Sequence, residues 1–306
     1  MGRGTTAWPV KQREVNTALF DSSRWNGFDF HDGDVVVATW GKTGTTWTQQ
    51  IVWQLLRGAP EGVFSNQECP WVDMRPPDRA AMEASLAAQG GRRCLKTHLP
   101  LDALVFSPRA KYLYVGRDAR DVVWSAYNHQ AGFTDQGLGW INAEEGDWPR
   151  LTRPSLDVRD YYLRFVDQDE LFGGGFEGVD FWDHIQGWWD ARHLPNVKLL
   201  HFNNLKSNLE GQVRKIARFI EVEIDEAILP AIVEHCSFDY MRNDAARDES
   251  MKIAWKDGAR TFFHKGTNGR WKDVLSKDEI DRCDALAARR LSPDCARWLA
   301  SGEGAD

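Results

Sequence analysis

The chain of 306 residues is 42% hydrophobic and 27% charged, with a formal net charge of −7, which is ordinary for a globular protein able to bury a full core. The acidic balance excludes a general nucleic-acid or anionic-membrane surface, so any phosphate must be held by a local basic pocket. No run of 18 apolar residues and no apolar leader is visible, which predicts a cytoplasmic protein without a membrane partner.

In chain order, residues 1–30 form a mixed polar lead-in expected to pack on a sheet, with no chemistry assigned. Val35-Val36-Val37 is apolar without alternation and predicts a buried parallel strand. Gly41-Lys42-Thr43-Gly44 then turns the chain, and residues 47–57 show helical periodicity that stops at Gly58-Ala59-Pro60. Residues 61–78 are turn-rich yet carry large apolar side chains, as expected of a loop covering a pocket. A short helix over residues 80–88 precedes a strand over 93–100, which places Lys96 and His98 on one face. A second strand over 111–118 leaves the sheet at Gly116, followed by a helix over 118–127.

Residues 131–180 look least regular, with a flexible hinge or loop at Phe172-Gly173-Gly174-Gly175-Phe176-Glu177-Gly178. An amphipathic helix over 180–193, a strand over 196–202 and a helix over 211–220 come next. Residues 262–272 read as a basic, Gly-rich loop, and Ser276 with Glu279 starts a final helix to residue 290. This order predicts an α/β fold with a mainly parallel central sheet flanked by helices, as a single domain over 1–306 with its core at about 33–290. Five cysteines (Cys69, Cys94, Cys236, Cys283, Cys295) with no CxxC spacing predict free thiols in a reducing compartment, and no zinc site.

Strand, Gly-rich loop and helix start together make a phosphate cradle. Thr45 and Thr46 offer hydroxyls and main-chain N–H groups at the positive end of the helix, and Lys42 adds a full charge. The spacing is not that of a Walker A loop: Val36 stands where its first glycine belongs, and Gly44 follows the lysine. Ligands of parallel sheets sit at the carboxyl ends of strands. Lys42, His98 and Arg117 all fall at predicted strand ends.

Thr39-Trp40-Gly41-Lys42-Thr43-Gly44-Thr45-Thr46-Trp47 resembles the 5′-phosphosulfate loop of cytosolic-type sulfotransferases, Thr-Tyr-Pro-Lys-Ser-Gly-Thr-Thr-Trp. Four further segments resemble the same family in the same order, over residues 35–272. They are Lys96-Thr97-His98-Leu99-Pro100, the stretch from Tyr114 through Arg117 to Ser125, His235-Cys236-Ser237-Phe238, and His264-Lys265-Gly266 with Gly269-Arg270-Trp271-Lys272. The last matches a family loop of the form Arg-Lys-Gly-x-x-Gly-Asp-Trp-Lys.

The resemblance implies a P-loop-like fold. It also implies 3′-phosphoadenosine 5′-phosphosulfate as donor, adenosine 3′,5′-bisphosphate as product, a small hydroxyl or amine acceptor, and no metal. Carried over residue by residue, it makes His98 the base, with Lys42 and Lys96 stabilising developing charge. Lys42, Thr43, Gly44, Thr45, Thr46 and Trp47 would hold the 5′ side and the adenine. Arg117, Ser125, Lys265 and Gly266 would hold the 3′-phosphate, with Cys236, Phe238 and His264 at matching positions. Trp71, Met74 and Phe133 are expected on the acceptor side, which suggests an aromatic or hydrophobic compound.

Three positions depart from the pattern. Phe202 replaces a Tyr near the adenine, Cys236 replaces a Thr, and His264 replaces an Arg, so a guanidinium contact to the 3′-phosphate is lost or made pH-dependent. The family's dimer signature is broken at Lys272, Ser276, Lys277 and Asp281, which predicts a monomer or a dimer by another surface. The remaining histidines, His31, His129, His184, His193, His201 and His235, are expected to be structural, and Trp188 and Trp189 to be core. A P-loop kinase or nucleotidase and a non-catalytic nucleotide-binding relative stay open as rivals.

Overall fold

The structure is a computed structural model that describes residues 7–76, 79–154, 157–168, 171–172 and 175–304. Strand β1 (Val35–Thr39) leads through the Gly41–Gly44 turn into α1 (Thr45–Arg57), and α2 (Arg79–Ala88) precedes β2 (Cys94–Thr97). Next come β3 (Lys111–Gly116), α3 (Ala119–Ala131), α4 (Asp135–Ile141), α5 (Val158–Gln168) and α6 (Phe181–Asp190). After β4 (Val197–His201) the chain is helical: α7 (Phe202–Ser207), α8 (Leu209–Phe219), α9 (Leu229–His235), α10 (Phe238–Ala245), α11 (Met251–Ala254), α12 (Ala259–Phe263), α13 (Lys277–Arg290) and α14 (Pro293–Ser301).

Among the described residues the four strands make one all-parallel sheet in the order β2-β1-β3-β4. Successive side chains of a strand point to opposite faces, and here both faces are apolar. Val36, Ala38, Leu95, Tyr112 and Tyr114 enter a core with α3, α5, α6, α13 and α14. Val35, Val37, Leu113, Val115 and Leu200 enter a second core with α1, α8 and α9. Burial on both sides explains the run of valines without alternation in β1. It also puts the ends of β1, β2 and β3 in register, since Val37 pairs with Lys96 and Thr39 with Val115. Trp188 and Trp189 are core residues.

A buried ion pair fixes where β1 begins. Arg93 donates through Nε to Asp34 Oδ1 at 3.0 Å and through Nη2 to Asp34 Oδ2 at 2.6 Å, with Asp34 fully buried. Asp34→Ala strands a guanidinium without its partner and is expected to cost about 3 kcal/mol of stability. Urea unfolding midpoints measure this; an unchanged midpoint would show that the pair contributes nothing.

Several expectations need correction. The region 131–180 contains α4 and α5, whose aromatic residues Tyr161, Tyr162 and Phe165 are buried. Helix α3 runs past residue 127 to Ala131, and α9, α10, α11 and α14 carry chain that sequence periodicity did not assign. Residues 262 and 263 end α12 before the basic loop begins. Gly173, Gly174 and Pro77 lie outside the described residues.

The cysteine reading also fails in part. Cys69 and Cys94 form a disulfide, while Cys236, Cys283 and Cys295 are free and buried. The bond joins the start of β2 to the loop carrying Trp71. Backbone bonds from Lys96 to Pro70 (2.9 Å) and from Val72 to Lys96 (3.1 Å) continue that attachment. The capping box from Ser276 to Glu279 forms as expected, and no helix among the described residues is long and apolar enough to cross a membrane.

Candidate active site

The loop after β1 is held open by backbone geometry. Gly44 has φ 122°, and a Cβ there would lie 3.2 Å from the Phe202 ring, so only glycine fits without displacement. Lys42 is in the left-handed region at φ 71°, a conformation that costs a non-glycine residue about 1–3 kcal/mol and is concentrated at functional sites. From there Lys42 Nζ lies 3.1 Å from His129 Nδ1 and 5.1 Å from the centroid of Phe262. Burial, then the neighbouring Lys96 and Arg117 charges, push the Lys42 ammonium down to about 7.

His98 stands one residue beyond β2. Its Nδ1 donates to the Thr39 carbonyl at 2.7 Å, with the Thr39 hydroxyl at 3.1 Å, and that hydroxyl lies 2.7 Å from Thr45 Oγ1. This bond fixes the tautomer: Nε2 keeps its lone pair. Burial, then the Lys96 charge, hold the imidazole well below its ordinary pKa, so it is neutral at pH 7. Lys96 lies under the Trp71 ring, 3.8 Å from Nζ to the centroid, and burial pushes it down to about 7. Trp71 thus touches both Lys96 and His98, whose ring centroid is 4.7 Å away.

Arg117, at the end of β3, stacks on Phe202 at 4.1 Å and donates to the Lys42 carbonyl at 3.0 Å. Its Nη2 and Nε donate to Asn268 Oδ1 at 2.7 and 3.2 Å, and Nη2 reaches the Thr267 carbonyl at 3.4 Å. Burial brings it down to about 10. Asn268 in turn donates to Asn203 Oδ1 at 2.6 Å, and Gly269 N–H to Asp121 at 2.7 Å. These bonds bring the 264–272 loop against β3, α3 and α7. Gly266 has φ 59°, and a Cβ there would sit 2.6 Å from Phe238, so loop and α10 meet at a bare Cα.

The structure therefore brings Lys42, Thr45, Lys96 and His98 together around the ends of β1 and β2, with Arg117 joined to them through the Lys42 carbonyl. Trp47 is edge-on to Phe202 and donates its Nε1–H to the Cys236 carbonyl at 2.7 Å. It is the main chain of Cys236, not its buried thiol, that serves this corner. Thr43 spends its hydroxyl on the Trp40 carbonyl at 2.9 Å. Thr46 is half-buried in the first turn of α1 and Lys265 is exposed. Ser125 is half-buried in α3 and makes no hydrogen bond to Arg117 among the described residues. Met74 touches the site through its bridge to Phe20 and its N–H bond to the Trp71 carbonyl at 3.2 Å, and Phe133 stacks on Trp255 at 5.6 Å on the His129 side.

Four contributors were not foreseen. Phe20, from the lead-in, and Phe176, from the 172–176 loop, lie 6.3 and 6.2 Å from the His98 ring and complete an aromatic chamber with Trp71. Asp73 is a fully buried carboxylate accepting from Trp25 Nε1, Trp71 Nε1 and the His98 N–H, at 3.0, 2.7 and 3.3 Å; it seats both Trp71 and His98. His129, read as structural, contacts Lys42 and is ringed by Phe133, Trp255 and Phe262. Its signal was present, because Arg117, Asp121, Ser125 and His129 recur every four residues. His184 is buried against Tyr114 and the His98 carbonyl, and burial pulls it down to about 3, as a structural imidazole.

The sulfotransferase domain family matches residues 32–293, most of the chain. The chain belongs to the sulfotransferase family. It is similar to a glycolipid sulfotransferase of Mycobacterium bovis, 28% identical over 317 residues and covering 96% of both chains. It is also similar to sulfotransferase 1C2 of Homo sapiens, at 25% identity over 92% of this chain and 93% of that one. Among solved structures, retinol dehydratase in complex with androsterone and inactive cofactor PAP shares the fold with a TM-score of 0.68 and 21% identity. That match covers 89% of this chain and 84% of that one. Mouse sulfotransferase SULT7A1 complexed with PAP shares it at 0.64 and 19% identity, covering 90% of each. As a sulfotransferase fold, the parallel sheet and the β1–loop–α1 unit are the expected frame.

Proposed function

We propose that this sulfotransferase moves a sulfuryl group from 3′-phosphoadenosine 5′-phosphosulfate to a hydroxyl, or an amine, of a small aromatic or hydrophobic acceptor, with His98 as general base. The observation that carries the reading is the His98 tautomer. Nδ1–H is committed to Thr39, and a neutral Nε2 sits in an aromatic chamber beside two lysines. The residues suit the nucleotide. Lys42 has no carboxylate partner among the described residues, lies at the N-terminus of α1 and is driven toward neutrality by burial, so an incoming anion restores its charge.

When bound, the donor supplies a sulfuryl group already activated by its bond to a phosphate. His98 Nε2 takes the acceptor proton as the new sulfur–oxygen bond forms and the bond to the phosphate oxygen breaks. Lys42 and the α1 N–H groups face the charge growing on the leaving phosphate, and Lys96 faces the sulfuryl oxygens. Arg117 and Lys265 hold the 3′-phosphate, and Trp47 and Phe202 border the adenine. Phe20, Trp71 and Phe176, with Phe133 and Trp255 beyond His129, give the acceptor an aromatic wall. The cytoplasmic reading loses its cysteine argument with the Cys69–Cys94 bond.

Calorimetric titration tests the donor, with adenosine 3′,5′-bisphosphate against ATP plus Mg²⁺. Tight binding of the bisphosphate with little of ATP supports the reading, and preference for ATP replaces it with a kinase. The same titration carries a pH signature. At pH 8 the free protein's lysines, held at about 7, are largely neutral. The phosphate raises their pKa values, so binding takes up protons and weakens as pH climbs above 7. Repeating the titration at pH 8 in buffers of different ionisation enthalpy reads the uptake; zero uptake would place the lysines away from the phosphate.

A further inference from the structure

Arg270 is the least satisfied cation in this corner of the molecule. Its Nε is buried without a hydrogen-bond partner, and it makes no ion pair among the described residues. Its one side-chain bond runs from Nη1 to His264 Nδ1 at 2.9 Å. That bond uses the imidazole as an acceptor, so His264 serves as a support that aims the guanidinium. The nearest acid, Asp121, already accepts the Gly269 N–H at 2.7 Å. Arg117 is close enough for the two guanidiniums to disfavour each other's charge. Lys206 Nζ joins the group through the Gly266 carbonyl at 3.2 Å.

Arg117 and Arg270 share one nearby carboxylate, Asp121, while Asp118 is paired with Arg120 at 2.6 Å, so two guanidiniums with less than matching negative charge are costly unless an anion arrives. A fork of N–H donors with a free Nε suits phosphate. We propose that Arg270 binds the donor's 3′-phosphate together with Arg117, supplying the guanidinium that position 264 lacks. Positions 264 and 270 have exchanged roles: the histidine holds and the arginine binds. This rests on the donor assignment above and adds a residue to it.

The test is calorimetry on the full chain with adenosine 3′,5′-bisphosphate and with adenosine 5′-phosphate. Arg270→Ala is expected to weaken the bisphosphate roughly 10- to 100-fold and adenosine 5′-phosphate less than about threefold. The double variant His264→Arg/Arg270→Asp returns the guanidinium to the first position of the loop and is expected to bind the bisphosphate within about threefold of the unaltered protein. A bisphosphate affinity unchanged in Arg270→Ala, equal losses for the two ligands, or no recovery in the double variant would each overturn the exchange. Should Arg270→Ala not fold, Arg270→Lys and the double variant decide it, because a single point charge without a fork is expected to leave a selective deficit. Failure of the unaltered protein to bind the bisphosphate overturns the donor assignment itself, a separate result.

Discussion

His98→Ala is expected to lower turnover by roughly 10²–10⁴-fold, while affinity for adenosine 3′,5′-bisphosphate stays within about threefold. The split follows from geometry. The imidazole is held from β1 through Thr39, and its ring neighbours are Phe20, Trp71 and Phe176. Removing it takes away the base and leaves Arg117 and the α1 terminus in place. His98→Gln keeps a hydrogen-bonding side chain but cannot take the proton, so it should be equally slow. Full turnover in either variant would make His98 a structural residue and move the base elsewhere, with His129 the next imidazole to test.

Lys42→Met should cost on the order of 10²–10³-fold in turnover, with a smaller loss of bisphosphate affinity. Methionine fills a similar volume but supplies no charge to the leaving phosphate. The variant has a second signature. Lys42, held at about 7, is the lysine assigned to the leaving phosphate, so the proton uptake on binding the bisphosphate at pH 8 should fall to what Lys96 contributes. His129 loses its Nζ donor, and its tautomer is freed. Near-normal turnover would show that the α1 N–H groups carry the leaving charge alone.

What could be read from sequence was local. The β1–loop–α1 unit is encoded within about twenty consecutive residues, through β-branched side chains, two glycines and helical periodicity, and its position in the fold follows from the parallel sheet. Lys42, His98 and Arg117 were placed by predicted strand ends, and Lys96 by sharing a strand face with His98. The aromatic surroundings of His98 and Lys42 were not legible in that way. Phe20, Asp73, Phe176 and His129 come from four separate stretches, and each is ordinary in its own neighbourhood. Only packing shows that Asp73 accepts from two indoles and a backbone N–H, or that a polar lead-in delivers a phenylalanine to a histidine. The disulfide failed for a related reason: Cys69 and Cys94 are 25 positions apart, and spacing cannot say that the loop before Trp71 runs beside β2. Helices α9, α10 and α11 are too short for periodicity to register.

The bonds from Arg117 to Asn268 and Thr267 have a consequence for timing. They engage the guanidinium that, on the proposed assignment, takes the 3′-phosphate, with an amide oxygen and a carbonyl where phosphate oxygens would bind. On that assignment a nucleotide displaces the Asn268 amide as it enters, and its observed association rate is expected to level off at the pace of that displacement instead of rising with concentration. On departure the amide returns to the guanidinium as the phosphate leaves, which offsets the cost of baring a buried cation. On the same assignment one asparagine is expected to slow the entry of the nucleotide and hasten its exit without touching sulfur or acceptor.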